Sequence, residues 1–272
     1  MNQTEQQPVR RRRMPQYHQV QVRRVERMTP HLVRVTLHGE DLAKFETHGV
    51  AEHLKVMFPA PGQERPVLPA WTEDGPVYAE GVARPVMRTY TPRSWRPEAL
   101  ELDLEFLVHG EGVGSTWAAK ADVGDHLVVT LPGGPYRLDP EVTNFVIAGD
   151  ESALPAIETI LESLAPSARA EVFIEVESSS DELELNSPAH VDLHWLHRGA
   201  GAPVAGRKIE AAMREVALPE GGRIFVACEA GVMRDIRKHL MLERGLDRTS
   251  FHTQGYWKLG ASNHPDHDLG DD

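Results

Sequence analysis

Within six residues, Arg88-Thr89-Tyr90-Thr91-Pro92-Arg93 brings together two guanidiniums, a phenol ring and hydroxyls, closed by a rigid proline. Such a segment suits something flat and anionic. The ring stacks, a hydroxyl or backbone N–H reaches a ring heteroatom, and the arginines meet phosphate. A flavin dinucleotide is flat at one end and carries two phosphates. A surface turn with two solvated arginines and a half-buried tyrosine is the other reading the hexapeptide leaves open.

Three further stretches carry chemistry. Val108-His109-Gly110-Glu111-Gly112-Val113-Gly114-Ser115-Thr116-Trp117-Ala118 places three glycines within five positions, which lets backbone approach a ligand closely. Ser115 and Thr116 precede a short helix whose N–H groups suit a pyrophosphate; a hairpin loop with an N-cap explains the same residues. Gly149-Asp150-Glu151-Ser152-Ala153-Leu154-Pro155-Ala156 follows an apolar strand, at the kind of strand end where open α/β sheets gather ligands. It lacks a G-x-G-x-x-G fingerprint, and its two carboxylates also suit a helix dipole. Ala227-Cys228-Glu229-Ala230-Gly231-Val232-Met233-Arg234 is a second strand end of this type, where a small turn could edge a nicotinamide. A lone buried cysteine is equally an inert small hydrophobe.

The elements that position these residues follow from hydrophobic period. From Tyr17 the period is two: Val20 and Val22, then Val33, Val35 and Leu37, then Leu100, Leu102, Leu104, Phe106 and Val108. With Lys55 to Phe58 and Leu127 to Val129, this predicts about six antiparallel strands forming a small barrel over 17–138. Residues 59–87, rich in Pro and Gly, read as a long excursion. Near residue 140 continuous apolar strands begin to alternate with helical patterns, predicting a parallel sheet with helices on its faces over 139–262. Polar segments at 1–16, with Arg10 to Arg13 in a row, and at 263–272 read as disordered tails.

Composition narrows the function. Against 29 basic residues stand 41 acidic ones, a net charge of −12, which argues against bulk nucleic-acid binding or adhesion to an anionic membrane. No apolar run approaches the roughly 18–20 residues of a membrane helix, and the basic N-terminus lacks the apolar core of a secretory signal. The single cysteine, Cys228, excludes an internal disulfide and a Cys-rich metal centre and fits a reducing cytoplasm.

Taken together, order and spacing resemble the siderophore-interacting proteins, the flavin-dependent ferric-siderophore reductases of the ferredoxin-reductase-like superfamily. The matching positions are Arg88 to Arg93, His109-Gly110 with Gly114 to Ala118, Gly149 to Ala156, Glu229-Ala230-Gly231 with Arg234, and Gly255-Tyr256-Trp257-Lys258-Leu259-Gly260. The resemblance implies an FAD-binding β-barrel followed by an NAD(P)H-binding α/β domain. It implies that Arg88, Tyr90 and Thr91 hold the isoalloxazine and adjoining phosphate, and that Val108 and His109 lie along the cofactor. Gly114, Ser115, Thr116 and Trp117 would meet the pyrophosphate region, and Asp150, Glu151, Ser152 and Ala153 would face flavin or nicotinamide. Cys228, Glu229, Ala230 and Gly231 would lie on the nicotinamide side, with Cys228 standing where Gly or Ala is usual. Lys55, Lys258 and, more weakly, Arg137 would receive an anionic ferric siderophore.

The expected activity is cytoplasmic reduction of siderophore-bound Fe(III) by FAD, recharged by NADPH or NADH, with a ferredoxin as another possible donor. The chain is expected to act as a monomer, without nucleic acid, membrane insertion or a resident metal. Two other functions stay open: a general NAD(P)H:flavin or ferredoxin-type reductase, and a non-enzymatic siderophore-binding protein.

Overall fold

The computed structural model describes residues 15–73, 75–201, 205–218 and 220–261. Apart from Pro15 and Gln16, the tails expected at 1–16 and 263–272 lie outside the described residues.

In chain order the strands of the first half are β1 (Tyr17–Arg27), β2 (Leu32–His38), β3 (Leu54–Phe58), β4 (Ala70–Thr72), β5 (Gly75–Val77), β6 (Val86–Tyr90), β7 (Pro92–Arg96), β8 (Glu101–Leu107) and β9 (His126–Thr130). The short helix α1 (Val113–Ala118) lies between β8 and β9. β4 and β5 form a separate hairpin inside the Pro/Gly-rich excursion. The other seven make a curled antiparallel sheet ordered β6-β3-β9-β1-β2-β8-β7. Its alternating apolar residues, among them Val20, Val35, Leu37, Val56, Leu104 and Phe106, close on a common core.

Seven strands, not the expected six, build this sheet. The hexapeptide is not a turn: it holds the end of one strand and the start of the next. β6 ends at Tyr90, β7 begins at Pro92, and Thr91 alone separates them. Although consecutive in the chain, they form opposite edges of the sheet. The barrel therefore has a seam at Thr91, and Pro92 contributes no N–H with which to close it.

The second half holds β10 (Asn144–Asp150), α2 (Leu154–Glu162), β11 (Arg169–Val176), β12 (His190–His197), α3 (Arg207–Glu215), β13 (Arg223–Glu229), α4 (Ala230–Lys238) and β14 (Phe251–Trp257). Its five strands are parallel and ordered β12-β11-β10-β13-β14. The chain moves outward from β10 to β12, then returns to the other side of β10. The carboxyl end of β10 is thus the topological switch point at which such sheets bind ligands. α3 and α4 cover one face, joining a core with Val146, Val226 and Cys228. α2 covers the other face, and barrel residues Leu32 and Ala51 enter the same core as Ile157 and Leu161. Shared apolar packing, rather than a tether, joins the two halves. Among the described residues no helix is long and apolar enough to cross a membrane.

At Gly149, near the switch point, a Cβ would stand 2.7 Å from Ala153 Cβ, 2.9 Å from the Ala227 carbonyl oxygen and 2.9 Å from Ile157 Cδ1. Two of these neighbours are fixed by backbone, so nothing can yield cheaply. Gly149→Ala is expected to cost about 1–3 kcal/mol, as overpacked cores do, and to lower the denaturant midpoint at unchanged slope. A midpoint equal to wild type would show that the sheet relaxes there.

Candidate functional site

The seam faces the parallel sheet across a cleft of about 710 Å³ that opens to solvent. Thr89, Tyr90 and Thr91 line it from the barrel, with His53, Glu105 and Leu107; Glu151, Ser152, Pro155 and Gln254 to Tyr256 line it from the sheet. The two motifs singled out by composition, 62 residues apart between Thr89 and Glu151, thus become facing walls.

On the barrel side Tyr90 is held by rings. Its centroid lies 4.5 Å from that of Phe106 and 6.2 Å from that of Phe58. A Cβ on Gly114 would fall 1.8 Å from the Tyr90 hydroxyl, so only glycine lets this loop press against the phenol. Burial pushes the Tyr90 phenol well above its usual range, against the opposing charge of Arg88, leaving a neutral hydroxyl. Arg88 is half-exposed and donates through Nη1 to the Met87 carbonyl at 2.7 Å.

The glycine-rich stretch is braced by its own side chains. The His109 N–H donates to Ser115 Oγ at 2.9 Å, and Thr116 Oγ1 donates to the Gly112 carbonyl at 2.8 Å. The Val108 N–H donates to the His31 carbonyl at 2.7 Å, anchoring the entry to the loop. The Trp117 ring packs 5.3 Å from Phe106 and 5.6 Å from Phe58, so it belongs to the barrel core rather than to the loop surface.

On the sheet side the four residues at the switch point divide by role. Asp150 is 1% exposed and points inward. Its carboxylate accepts from the Ser152 N–H at 3.0 Å, the Glu229 N–H at 3.1 Å and Trp257 Nε1 at 2.8 Å. One carboxylate thereby ties together the ends of β10, β13 and β14. Burial raises its pKa, while the hydrogen bonds from Ser152 and Trp257 oppose that shift. Ala153 is fully buried in the core beneath α2. Glu151 and Ser152 are the pair that reaches the cleft. The Glu151 carboxyl is 5% exposed and pairs with Arg198 at 2.5 Å. Burial first, then the charge of Asp150, pushes it up to about 7 despite Arg198.

Cys228 does not edge the cleft. It is fully buried among Val146, Val226, Val232 and Met233 on the opposite face of the sheet, and burial raises its thiol. The alternation along β13 sends 228 away from the face that receives α2, which leaves the cysteine an apolar core residue. Glu229 is likewise structural. It caps α4 by accepting from the Val232 N–H at 3.0 Å and holds the last loop through the Leu259 N–H at 3.2 Å. Ala230 is buried at the start of α4, and Gly231 is half-buried beside the Glu229 carboxylate.

Sequence reasoning did not single out Tyr256, Glu105, His53 or Gln254 as site residues. Tyr256 lies on β14 and hydrogen-bonds Thr91, a contact that spans the cleft from sheet to seam; burial pushes its phenol up to about 12 against that bond. Its place in Gly255-Tyr256-Trp257 at the last strand end was the available signal. Of the basic candidates, Lys55 is half-buried and donates through Nζ to Thr89 Oγ1 at 2.8 Å, against the cleft wall. Lys258 is exposed two residues beyond Tyr256, and Arg137 is exposed on the loop after β9.

Each half matches a known family model. Residues 21–136 match the siderophore-interacting FAD-binding domain, and residues 142–260 match the siderophore-interacting protein family. The chain belongs to the siderophore-interacting protein family. It is 35% identical over 247 residues to the ferric vibriobactin reductase of Vibrio cholerae, covering 89% of each chain. It is 30% identical over 266 residues to the NADPH-dependent ferric-chelate reductase of Escherichia coli, covering 94% of this chain and 99% of that one. The crystal structure of a siderophore utilization protein from T. fusca superposes with a TM-score of 0.81 at 35% identity, over 93% of this chain and 96% of that one.

Family membership implies FAD, and the cleft fits it. The Tyr90 and Tyr256 rings and the hydroxyls of Thr89, Thr91 and Ser152 line it, an aromatic surface with polar edges of the kind a flat heterocycle needs.

The Glu151 carboxyl titrates above an ordinary glutamate value of 4.5, so the folded state binds its proton more tightly than the unfolded state. Its contribution therefore lowers stability as pH rises through that window. Thermal scans between about pH 5 and 8 should show a smaller decline in Tm for Glu151→Gln than for wild type. Parallel declines would contradict the assignment.

Proposed function

We propose that this chain is an FAD-dependent reductase of ferric siderophores, drawing electrons from NADPH or NADH and working in the cytoplasm as a monomer. The observation that carries the proposal is the cleft between the barrel seam and the switch point of the parallel sheet, in a chain of this family. A ferredoxin donor fits the same cleft less well, because the sheet's switch point suits a dinucleotide.

When bound, FAD supplies the conversion of a hydride's electron pair into single electrons for Fe(III). The chain's residues do the positioning. Tyr90, backed by Phe106 and Phe58, gives a rigid face for the ring system. Thr91 offers its hydroxyl at the seam, and Arg88 places positive charge on the neighbouring strand. Gly114, Ser115 and Thr116 would hold the phosphates at the start of α1, the side chains of Ser115 and Thr116 bracing the loop. Ser152 and Tyr256 form the opposing wall, where a nicotinamide would approach, and Glu151 with Arg198 keeps that wall's charge balanced. Asp150 and Glu229 hold this wall together from beneath.

Fe(II) is a softer ion than Fe(III) and is held more weakly by the hard oxygen donors of a siderophore, so one electron loosens it. An anionic ferric complex approaching a chain of net charge −12 needs a local basic rim. Lys55, bonded to Thr89 of the cleft wall, and Lys258, two residues beyond Tyr256, would supply one, with Arg137 the weaker candidate.

Purified chain mixed anaerobically with NADPH or NADH should lose its flavin colour and regain it on addition of a ferric triscatecholate. Lys55→Ala combined with Lys258→Ala should slow the second phase about tenfold, the weight of roughly 1.4 kcal/mol, and leave the first unchanged. A second phase at the wild-type rate would reject the lysine rim. A colourless protein that takes up no FAD would reject the reductase in favour of a siderophore carrier.

A further inference from the structure

Arg93, the second arginine of the hexapeptide, turns away from the cleft. Its guanidinium donates through Nη2 to Glu158 Oε1 at 2.9 Å and to Glu162 Oε1 at 2.6 Å, and through Nη1 to Glu162 Oε2 at 3.1 Å. Both carboxylates lie on α2, so a single side chain of β7 grips a helix of the other domain. The Arg93 and Glu158 side chains are 12% and 6% exposed, whereas that of Glu162 is 39% exposed at the rim.

Its place in the chain gives this contact leverage. Two residues before Arg93 stands Thr91, the seam residue of the barrel wall. Three residues before Glu158 stands Pro155, and before it Ser152, both on the facing wall. We propose that Arg93 is a positioning residue whose fork-shaped contact with Glu158 and Glu162 sets the gap between the flavin wall and the nicotinamide wall. This inference rests on the reductase reading for its functional consequence, but the contact itself does not.

Two neighbouring features make the residue hard to replace. Glu105 of β8 lies buried in the same joint, bound to Arg34 on one oxygen, while its Oε2 has no hydrogen-bond partner. Burial, and then the charge of Glu158, raise the Glu105 pKa. Without Arg93, two buried carboxyls would confront each other across the joint, an arrangement far costlier than the intact pair. Lysine would restore the charge but not the planar fork that engages both oxygens of Glu162. A second cross-joint bond reports on the gap independently: the Ala51 N–H donates to Thr159 Oγ1 of α2 at 3.0 Å.

The test uses the full chain and four proteins: wild type, Arg93→Lys, Arg93→Ala, and Glu158→Gln with Glu162→Gln. Amide hydrogen exchange at Ala51 should quicken at least tenfold in all three variants, while Val35 in the barrel and Val172 in the sheet exchange as in wild type. In flavin-loaded protein, KM for the nicotinamide should rise about tenfold, whereas Kd for FAD should change less than threefold. Unchanged exchange at Ala51 would overturn the proposal. So would a Kd for FAD that rises as much as KM, since that would put Arg93 on a cofactor phosphate. Should Arg93→Ala fail to fold, Arg93→Lys and the double glutamine variant decide the question. If wild type binds no FAD, the reductase reading fails and the exchange measurement still judges the clasp.

Discussion

The barrel cannot close where its two edge strands are neighbours in the chain. β6 and β7 lie at opposite ends of the sheet order, with one residue between them. A connection this short runs straight from one edge to the other, and no strand can add to either edge at that point. The seam so formed places Thr89, Tyr90 and Thr91 along one wall of the cleft, with the Tyr90 ring packed on the barrel core behind it. Everything else in the molecule presents a second surface to that seam. The shared core around α2 docks the sheet, the switch point at β10 delivers Glu151 and Ser152, and Tyr256 reaches across to Thr91.

The outer face of the barrel beside the seam is organised by charge rather than by water. Along β8, Leu102, Leu104 and Phe106 point into the core, while Glu101, Asp103 and Glu105 point outward and are nevertheless buried. Arg96 bonds both Glu101 and Asp103, and Arg34 bonds Glu105. Arg93 continues the same ladder onto α2. Each of these buried carboxylates is met by a hydrogen-bonded arginine, so the ladder helps fix both register and domain docking. Its last rung, Glu105, is also a wall of the cleft.

Much of this was legible in the sequence, for identifiable reasons. Period-two alternation announced the barrel, and continuous apolar strands with helical intervals announced the parallel sheet. Strand ends rich in Gly and small polar residues marked where a ligand gathers. The hexapeptide reads as a turn, yet it holds the end of one strand and the start of another, with Thr91 alone between them. Cys228 was placed at the cleft because a strand end was identified but its face was not; a shift of one residue along a strand reverses the side. Asp150 and Glu229 sit in the right turns yet point inward, since motif spacing does not say which carboxylate is consumed by neighbouring N–H groups. Tyr256 with Thr91, and Arg93 with Glu162, pair residues far apart in the chain, and no local pattern encodes such pairs. The excursion at 59–87 read as loop, though it contains the β4–β5 hairpin.

On the proposed function, the flavin lies in the seam, between Tyr90–Thr91 and Ser152–Tyr256. A crystal structure of the chain loaded with FAD measures this most directly. The isoalloxazine is expected against Tyr90 and Thr91, its phosphates at Gly114 to Thr116, and Tyr256 displaced or stacked on the far side. FAD bound elsewhere, with the cleft still bridged by Tyr256 and Thr91, would contradict it.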